Sequence, residues 1–553
     1  MKPSEPFLHF VSDYLAHLQE VYPGESSLDG VHLYDDLLED FSRTKIEAHV
    51  HALSGFGRRL RQIETKALPA VEKIEHKIVG ANIEARMFDL EQVRSWESSP
   101  YIYADALATS LASQTMFAYA PEPERARRML SKLRQVPRLV QAARDNIKEP
   151  AGIFVKAALE VWRGVLKLIE DDLPKVFSTV DDLHLLADLA DASTESSKTI
   201  NAYIEYLEKE IAPHAKSSFR LGRKKFAEKL KLEEGITLDV DRLLTIALRE
   251  LKETQEEFLV LAGRLKKGTD PIAAWQEIKK QHPAAGQLSK VAQGQVDELE
   301  KFLRQSNIVT VPDNKSLVVA PSPEFYRWAF ASMWTPGPFE ARPSSAFYYL
   351  TDVDRHWTKE QQAEHLLDFN YANLWNISIH EAYPGHFLHY EHLRTVQSVV
   401  RKASFFSPVS FIEGWAHYCE QMMVEVGFRK EDPTIRLGQL AEALVRLARF
   451  IVAIRLHCED LSVEQGMRIF RDEAFQEEAA ARREAGRGTF DPMYLVYSVG
   501  KLALLKLRDD YKAQEGGKFS LRAFHDTLLQ QGTAPFWAHR QLMLDEPTGA
   551  IFE

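Results

Sequence analysis

The sequence predicts a mainly helical protein with two lobes and a small antiparallel sheet next to the helix of its candidate site. Apolar residues recur three and four positions apart over long segments such as 157–168 and 240–265, which is the period of an α-helix with one buried face. Between 306 and 355 this period is lost, and short runs rich in β-branched and aromatic residues are separated by prolines. Such runs are typical of strands. After residue 357 the helical period returns.

The chain is long enough for two lobes, because 553 residues exceed what a single hydrophobic core usually holds. We expect a helical N-terminal lobe over 1–305 and a second lobe over 306–553. Within the second lobe, the sheet occupies 306–355 and the helices with candidate metal ligands occupy 360–430, followed by further helices. This division places the candidate chemistry in the C-terminal half of the chain.

Composition narrows the classes of partner. The formal charge of −11 offers no basic surface for nucleic acid or anionic lipid, so we expect neither as a partner. Asp13 and His17 interrupt the region where a secretory signal would be apolar, and no later stretch approaches ~18 uncharged apolar residues. Cys419 and Cys458 are too few for a disulfide framework. We therefore expect a cytoplasmic location and no membrane partner.

The clearest chemical motif is His380-Glu381, followed six residues after the first histidine by His386. In the motif H-E-x-x-H, two imidazoles stand one turn apart on a helix and bind zinc, while the glutamate activates water. Six residues turn a helix by ~600°, so an unbroken helix cannot bring both rings to one metal. Pro384 and Gly385 offer a solution, since proline opens the hydrogen-bond ladder and glycine tolerates a positive φ. We expect two residues to loop out and His386 to return to the ligand position.

Because catalytic zinc usually has three protein ligands, we expect a third one. A candidate carboxylate stands 27 residues after His386. Glu413 lies there, with His417 one helical turn later and Glu420 a further turn along the same face. We assign Glu413 as the third metal ligand. His417 is then placed to orient a ligand or the Glu413 carboxylate from behind.

At this point the sequence resembles a large, mostly uncharacterised bacterial family, a domain of unknown function marked by H-E-x-x-P-G-H and a downstream E-G-W-A-x-Y. The two motifs stand at 380–386 and 413–418. The stretch 518–526, with Gly532 and Pro535 after it, is similar to the C-terminal region of that family. The resemblance is strongest over residues 300 to 545 and only general before them.

That family in turn resembles the helical zinc peptidases of the gluzincin type, which include angiotensin-converting enzyme, oligopeptidases and thermostable bacterial carboxypeptidases. The resemblance implies a two-lobed zinc-peptidase-like fold and a zinc ion held by His380, His386 and Glu413, with Glu381 as general base. One departure from the family pattern is Phe387, which stands where a further histidine often follows the first motif.

Other side chains are candidates for supporting roles. The resemblance places Tyr494 or Tyr497 across the site as a donor to the oxyanion, although aromatic packing would also account for either. His389 is interpreted as a bystander, since it follows His386 by three residues and would compete for the same position. Arg455 and Lys501 could hold a substrate carboxylate, but we expect them to be surface charges.

The preferred interpretation is metal-assisted hydrolysis of a peptide or a similar amide. The strand at 346–351 precedes the candidate metal helix, and its edge could pair with an extended peptide; an edge covered by a helix is the alternative. Two other functions stay open. A zinc hydrolase of a small amide or ester would need a closed pocket instead of a groove, and an inactive helical binding scaffold would hold no metal. No feature of the sequence predicts an oligomeric state.

Overall fold

The computed structural model describes residues 4–313, 316–323, 327, 330–547 and 551–552. It confirms a mainly helical fold with a small sheet. The helices before the sheet are α1 (Glu5–Val21), α2 (Pro23–Leu28), α3 (Arg43–Gln62), α4 (Ala70–Phe88), α5 (Ser95–Ser98), α6 (Tyr101–Met116), α7 (Glu122–Asn146), α8 (Gly152–Lys167), α9 (Leu173–Val176), α10 (Leu183–Tyr206), α11 (Arg223–Glu234), α12 (Val240–Leu265), α13 (Pro271–Lys279) and α14 (Leu288–Ser306).

The helices after the sheet confirm the predicted return to helix after residue 357. They are α15 (Lys359–Asp368), α16 (Tyr371–Glu381), α17 (His386–Leu393), α18 (Val409–Glu425), α19 (Thr434–Cys458), α20 (Val463–Arg468), α21 (Glu478–Phe490), α22 (Val496–Glu515), α23 (Leu521–Gln530) and α24 (Phe536–Met543). Short 3₁₀ and π turns occur at Thr65–Ala67, Asp89–Val93, Leu168–Asp172, Leu207–Ile211, Ala212–His214, Ser404–Phe406, Ile469–Glu473 and Gly516–Lys518.

The candidate metal helix α16 has a clear start signal. The side chain of Asn370 accepts a hydrogen bond from the backbone N–H of Asn373, which satisfies one of the free donors at the helix start. This cap separates α16 from α15. Most of α16 is buried, so the helix is held by packing on several sides.

Among the described residues, the sheet consists of β1 (Leu317–Pro321), β2 (Ala331–Trp334) and β3 (Ala346–Leu350), in the order β1-β3-β2. β3 pairs antiparallel with β2 but parallel with β1, so the expectation of an antiparallel sheet is wrong for one of the two pairings. Because β3 is central, both of its edges are occupied. The prediction that this strand offers a free edge to a peptide is therefore wrong, and β2 and β1 form the edges.

The first apolar run of this region, at 307–311, is not a strand. It follows the end of α14, and the Thr310 backbone N–H and hydroxyl both donate to the carboxylate of Asp526, at 2.8 and 2.6 Å. These bonds to a distant side chain replace the ladder of a strand.

The hydrophobic core continues across residue 305. Leu299 and Leu303 of α14 belong to the same buried cluster as Tyr348 of β3 and Trp415 of α18. A second cluster joins α12 to α19. Within the described residues, no helix has the length and apolar character needed to cross a membrane.

Candidate metal centre

A tight bend between α16 and α17 places the two histidines. The Gly385 backbone N–H donates to the carbonyl of Ile379 at 3.0 Å, and a Cβ on Gly385 would lie only 1.8 Å from the His380 carbonyl oxygen. The φ of Gly385 is −68°, so the bend does not use the positive φ that glycine would tolerate. Glycine is needed here because of the close approach of the backbone. The expected loop between the histidines is present, and the Tyr383-Pro384 peptide bond within it is cis.

Helix α18 is fixed to this bend from the other side. The Trp415 indole N–H donates to the Pro384 carbonyl oxygen at 2.9 Å. The preceding residue, Gly414, lies against α22, because a Cβ on it would lie 2.6 Å from the Cα of Gly500. The bend, α18 and α22 are thereby held together around one point.

His380, His386 and Glu413 converge at that point. One ligand atom from each lies within 4.8 Å of the other two. The Nε2 atoms of His380 and His386 lie 3.3 and 3.4 Å from Glu413 Oε2. That oxygen is buried and has no hydrogen-bond partner among the described residues, because neither histidine contact has hydrogen-bond geometry. Two imidazole nitrogens and one carboxylate oxygen are a set of ligand atoms that fits a zinc ion.

His380 is oriented by Glu420, which is fully buried. The Nδ1–H of His380 donates to Glu420 Oε1 at 2.7 Å, since an ionised carboxylate can only accept. This bond orients the ring so that Nε2 is directed toward Glu413, where it can bind a metal ion once it is deprotonated. Burial lowers the pKa of His380, but the neighbouring carboxylates of Glu413 and Glu420 outweigh it and raise the pKa to about 9.

The sequence predicts that His417 orients a metal ligand or the Glu413 carboxylate, whereas in the structure it contacts Glu420. Its Nδ1 lies 3.1 Å from Glu420 Oε2, and Arg446 Nη2 lies 3.1 Å from Glu420 Oε1. Burial lowers the pKa of His417 to about 3, despite the nearby charge of Glu420. His417 and Arg446 thus hold Glu420, which in turn holds His380.

Sequence reasoning missed the roles of Glu420 and Arg446. Glu420 follows Glu413 by seven residues and so lies on the same helical face, a signal that was present in the motif region. Arg446 interrupts the otherwise apolar run Leu444–Leu447 of a buried helix. A cation in such a run needs a buried partner, but the sequence does not indicate which one.

Glu381 is half-buried at the end of α16, beside the converging ligands. It makes no hydrogen bond or ion pair with any other described residue. Burial raises the pKa of its carboxyl group, and Glu413 adds to this effect, whereas His380 and His386 oppose it. A carboxylate without a protein partner at this place is free to bind water or substrate.

The structure separates the two candidate tyrosines. The Tyr497 ring stacks on His380 with 6.3 Å between centroids, and the Arg449 guanidinium lies 5.1 Å from its centre. Tyr494 is only 1% exposed, and its hydroxyl lies 2.3 Å from where a Cβ on Gly488 would be. Tyr497 therefore borders the metal candidates, whereas Tyr494 is packed in the core beside Gly488.

The remaining candidates have structural surroundings. His389 is 1% exposed, and neither of its ring nitrogens has a hydrogen-bond partner among the described residues. Arg455 lies 3.8 Å from Glu459, one turn away on the surface of α19. Lys501 is half-buried, which differs from the expected surface charge, and burial lowers its pKa to about 8.

The fold and the cluster together define a mainly helical protein with a His-His-Glu set of metal-ligand type. The chain belongs to a family of bacterial proteins of unknown function, DUF885, whose family model matches residues 23–543. No curated protein matches it.

Two solved structures share the fold. A candidate lipoprotein of unknown function from Shewanella oneidensis is 26% identical with a TM-score of 0.80, and the match covers 98% of this chain and 100% of that one. A candidate lipoprotein from Colwellia psychrerythraea is 16% identical with a TM-score of 0.80, covering 97% and 98%. These similarities describe the fold and leave the activity open.

Proposed function

We propose that the protein is a zinc-dependent hydrolase whose metal ion is held by His380, His386 and Glu413. The observation that carries the proposal is the convergence of three ligand atoms within 4.8 Å, one of which is a buried carboxylate oxygen with no hydrogen-bond partner among the described residues. A buried carboxylate oxygen without a hydrogen bond is costly unless a cation neutralises it. The bond from His380 to Glu420 supports the same assignment, because metal-binding histidines usually donate their other nitrogen to a carboxylate.

Zinc bound there would polarise a substrate carbonyl and lower the pKa of water. Glu381 is the group that accepts the proton of the attacking water and passes it to the leaving nitrogen. Its raised pKa and its lack of a hydrogen-bond or ion-pair partner among the described residues suit this exchange. The Tyr497 hydroxyl, on the ring stacked against His380, is the candidate donor to the developing oxyanion.

A peptide is the proposed substrate, on the strength of the resemblance to helical zinc peptidases. Strand β2 is an edge strand that packs against α16, so an extended peptide could pair with its outer side beside the metal helix. A small amide or ester is the second candidate substrate. The cytoplasmic location expected from the sequence stays a prediction, and the lipoprotein description of both solved relatives argues against it.

The test compares zinc-loaded wild-type protein with the Glu381→Gln variant. Both are incubated with a mixed peptide library and with a panel of small amides and esters. Because glutamine keeps the size of the side chain but cannot accept the proton, we expect turnover to fall by ~10²–10⁴ with zinc content unchanged. Zinc content is measured on the same samples by mass spectrometry.

The possible results are informative in different ways. Hydrolysis of peptides by the wild type alone supports a peptidase, and hydrolysis of the small panel alone supports the second candidate. Loss of zinc together with activity would make Glu381 a ligand. Undiminished turnover in the zinc-replete variant would overturn the mechanism, and a wild type that binds no zinc would favour a binding scaffold.

A further inference from the structure

The segment 335–345, which connects β2 to β3, contacts the residues that follow α2. The Phe339 backbone N–H donates to the Asp29 carbonyl oxygen at 3.0 Å. A Cβ on Gly337 would lie only 2.0 Å from the Asp29 carbonyl carbon, so the two backbones approach closely. This segment therefore joins the sheet to the N-terminal helices.

His32 lies at the polar centre of this contact. Its Nδ1 is 2.9 Å from Asp35 Oδ2, and its Nε2 is 2.8 Å from Glu340 Oε2. An ionised carboxylate can only accept hydrogen bonds, so both ring nitrogens must carry a proton for both bonds to form. Only the positively charged imidazolium has two N–H donors. The geometry therefore fits a protonated His32 between two carboxylates.

The other groups around His32 keep Asp35 paired in either state of the ring. Arg128 of α7 donates to Asp35 Oδ2 at 2.7 Å and to the His32 carbonyl oxygen at 3.1 Å, and it also donates to Glu124 at 2.6 Å. The Tyr119 ring stacks on His32 with 3.6 Å between centroids. Burial raises the pKa of Tyr119, so its hydroxyl stays neutral near pH 7. Asp35 thus retains a cation when His32 is neutral.

Glu340 depends on His32 more than Asp35 does. Its side chain is only 10% exposed, and among the described residues it has no other ion-pair partner within 4.0 Å. Arg394, which also contacts this segment, pairs with Glu391 at 3.4 Å and donates to the Pro336 carbonyl oxygen at 2.8 Å. When His32 is neutral, Glu340 is a mostly buried carboxylate without a cation, and this is costly.

Burial lowers the pKa of His32, but hydrogen bonds with Asp35 and Glu340 outweigh it and raise the pKa above its ordinary value of 6.5. The stabilisation is therefore complete below pH 6.5 and is lost as the pH rises through the raised pKa. We propose that His32 makes this contact pH-dependent: protonated, it holds the segment 336–340 on the N-terminal helices, and when it loses its proton it releases Glu340 and loosens the segment. The proposal does not depend on the proposed hydrolysis.

The test is hydrogen–deuterium exchange of the full chain, followed by mass spectrometry at pH 6, 7, 8 and 9. The exchange rate of amides 337–340 is divided by the rate of an unstructured peptide at the same pH. We expect this ratio to rise by at least about 10-fold between pH 6 and 9, because opening releases a proton and each pH unit then favours it by up to about 10-fold. Amides of α12 are the internal reference and should show no such rise.

Two variants assign the effect to the pair. Glu340→Gln should abolish the rise, because an amide can accept from or donate to either form of His32. His32→Gln should abolish it as well, because glutamine does not titrate. His51→Gln is the matched control, since His51 is exposed and has no ion-pair partner among the described residues, and it should keep the full rise. Thermal unfolding checks the fold, and Glu340→Gln, which keeps the size of the side chain, is expected to remain folded even if His32→Gln is not.

The proposal is overturned if the corrected exchange of amides 337–340 in the wild type does not rise with pH, or if it rises only together with that of α12. It is equally overturned if folded Glu340→Gln keeps the full rise. Because the readout is backbone exchange, none of these results bears on whether the metal centre hydrolyses peptides.

Discussion

Two buried histidines on neighbouring helices differ in hydrogen bonding and in pKa, because one lies in the candidate metal centre and the other in the adjacent core. His380 and His389 are 6% and 1% exposed. His380 bonds to Glu420, and carboxylates raise its pKa to about 9. His389 packs against the Phe411 ring at 5.4 Å, and burial lowers its pKa to about 3. Burial alone makes a neutral, inert ring, whereas a paired carboxylate gives a ring with a fixed tautomer and a directed lone pair.

The same contrast applies to the tyrosines, where we expect the largest effect on turnover. Tyr497→Phe should lower turnover by ~10²–10³ with little change in substrate binding, because it removes a donor to the oxyanion. Tyr494→Phe is the matched control from the core and should keep its turnover. Steady-state kinetics on a peptide substrate measures both. Equal effects of the two substitutions would contradict the separation of site from core.

The approach of α22 to α18, which brings Tyr497 to His380, should be sensitive to a single added methyl group. A Cβ on Gly500 would lie 1.8 Å from the Ser410 carbonyl oxygen. Gly500→Ala should therefore lower the free energy of unfolding by about 2–3 kcal/mol. The control Gly486→Ala meets no atom within 4 Å and should not destabilise the protein. A Gly500→Ala variant as stable as this control in thermal unfolding would contradict the contact.

The carboxylate that distinguishes His380 from His389 can be neutralised. Glu420→Gln should weaken zinc binding by about 10-fold to 100-fold, since the partner of a metal-binding histidine tunes its basicity. His417→Phe removes only a partner of Glu420 and should have a smaller effect. Zinc affinities come from competition with a coloured chelator. A larger loss in His417→Phe than in Glu420→Gln would reverse the order of contacts proposed here.

The smallest effect is expected at His389. His389→Leu removes two buried nitrogens that have no hydrogen-bond partner among the described residues, and leucine is of similar volume. Stability should change by no more than about 1 kcal/mol, because the lost packing and the removed unsatisfied groups oppose each other. Zinc affinity should be unchanged. A marked loss of zinc affinity would mean that His389 takes part in the metal centre.

The candidate site was more predictable than the sheet. His380, His386 and Glu413 stand in local motifs, and the Pro-Gly insertion indicated the bend that lets both histidines face one point. Arg446 could not be assigned, because its partner Glu420 lies on another helix. Likewise, the parallel pairing of β1 with β3 depends on how the chain returns from β2, which strand composition does not specify.

The most direct test of the account is a calorimetric titration of Zn²⁺ into chelator-stripped protein. The account predicts about one zinc ion per chain for the wild type, with His386→Ala and Glu413→Ala each weakening binding by at least about 100-fold, because each removes one of three ligands. The His389→Leu variant should bind as the wild type does. Absence of binding in the wild type, or unchanged binding in His386→Ala, would contradict the metal centre.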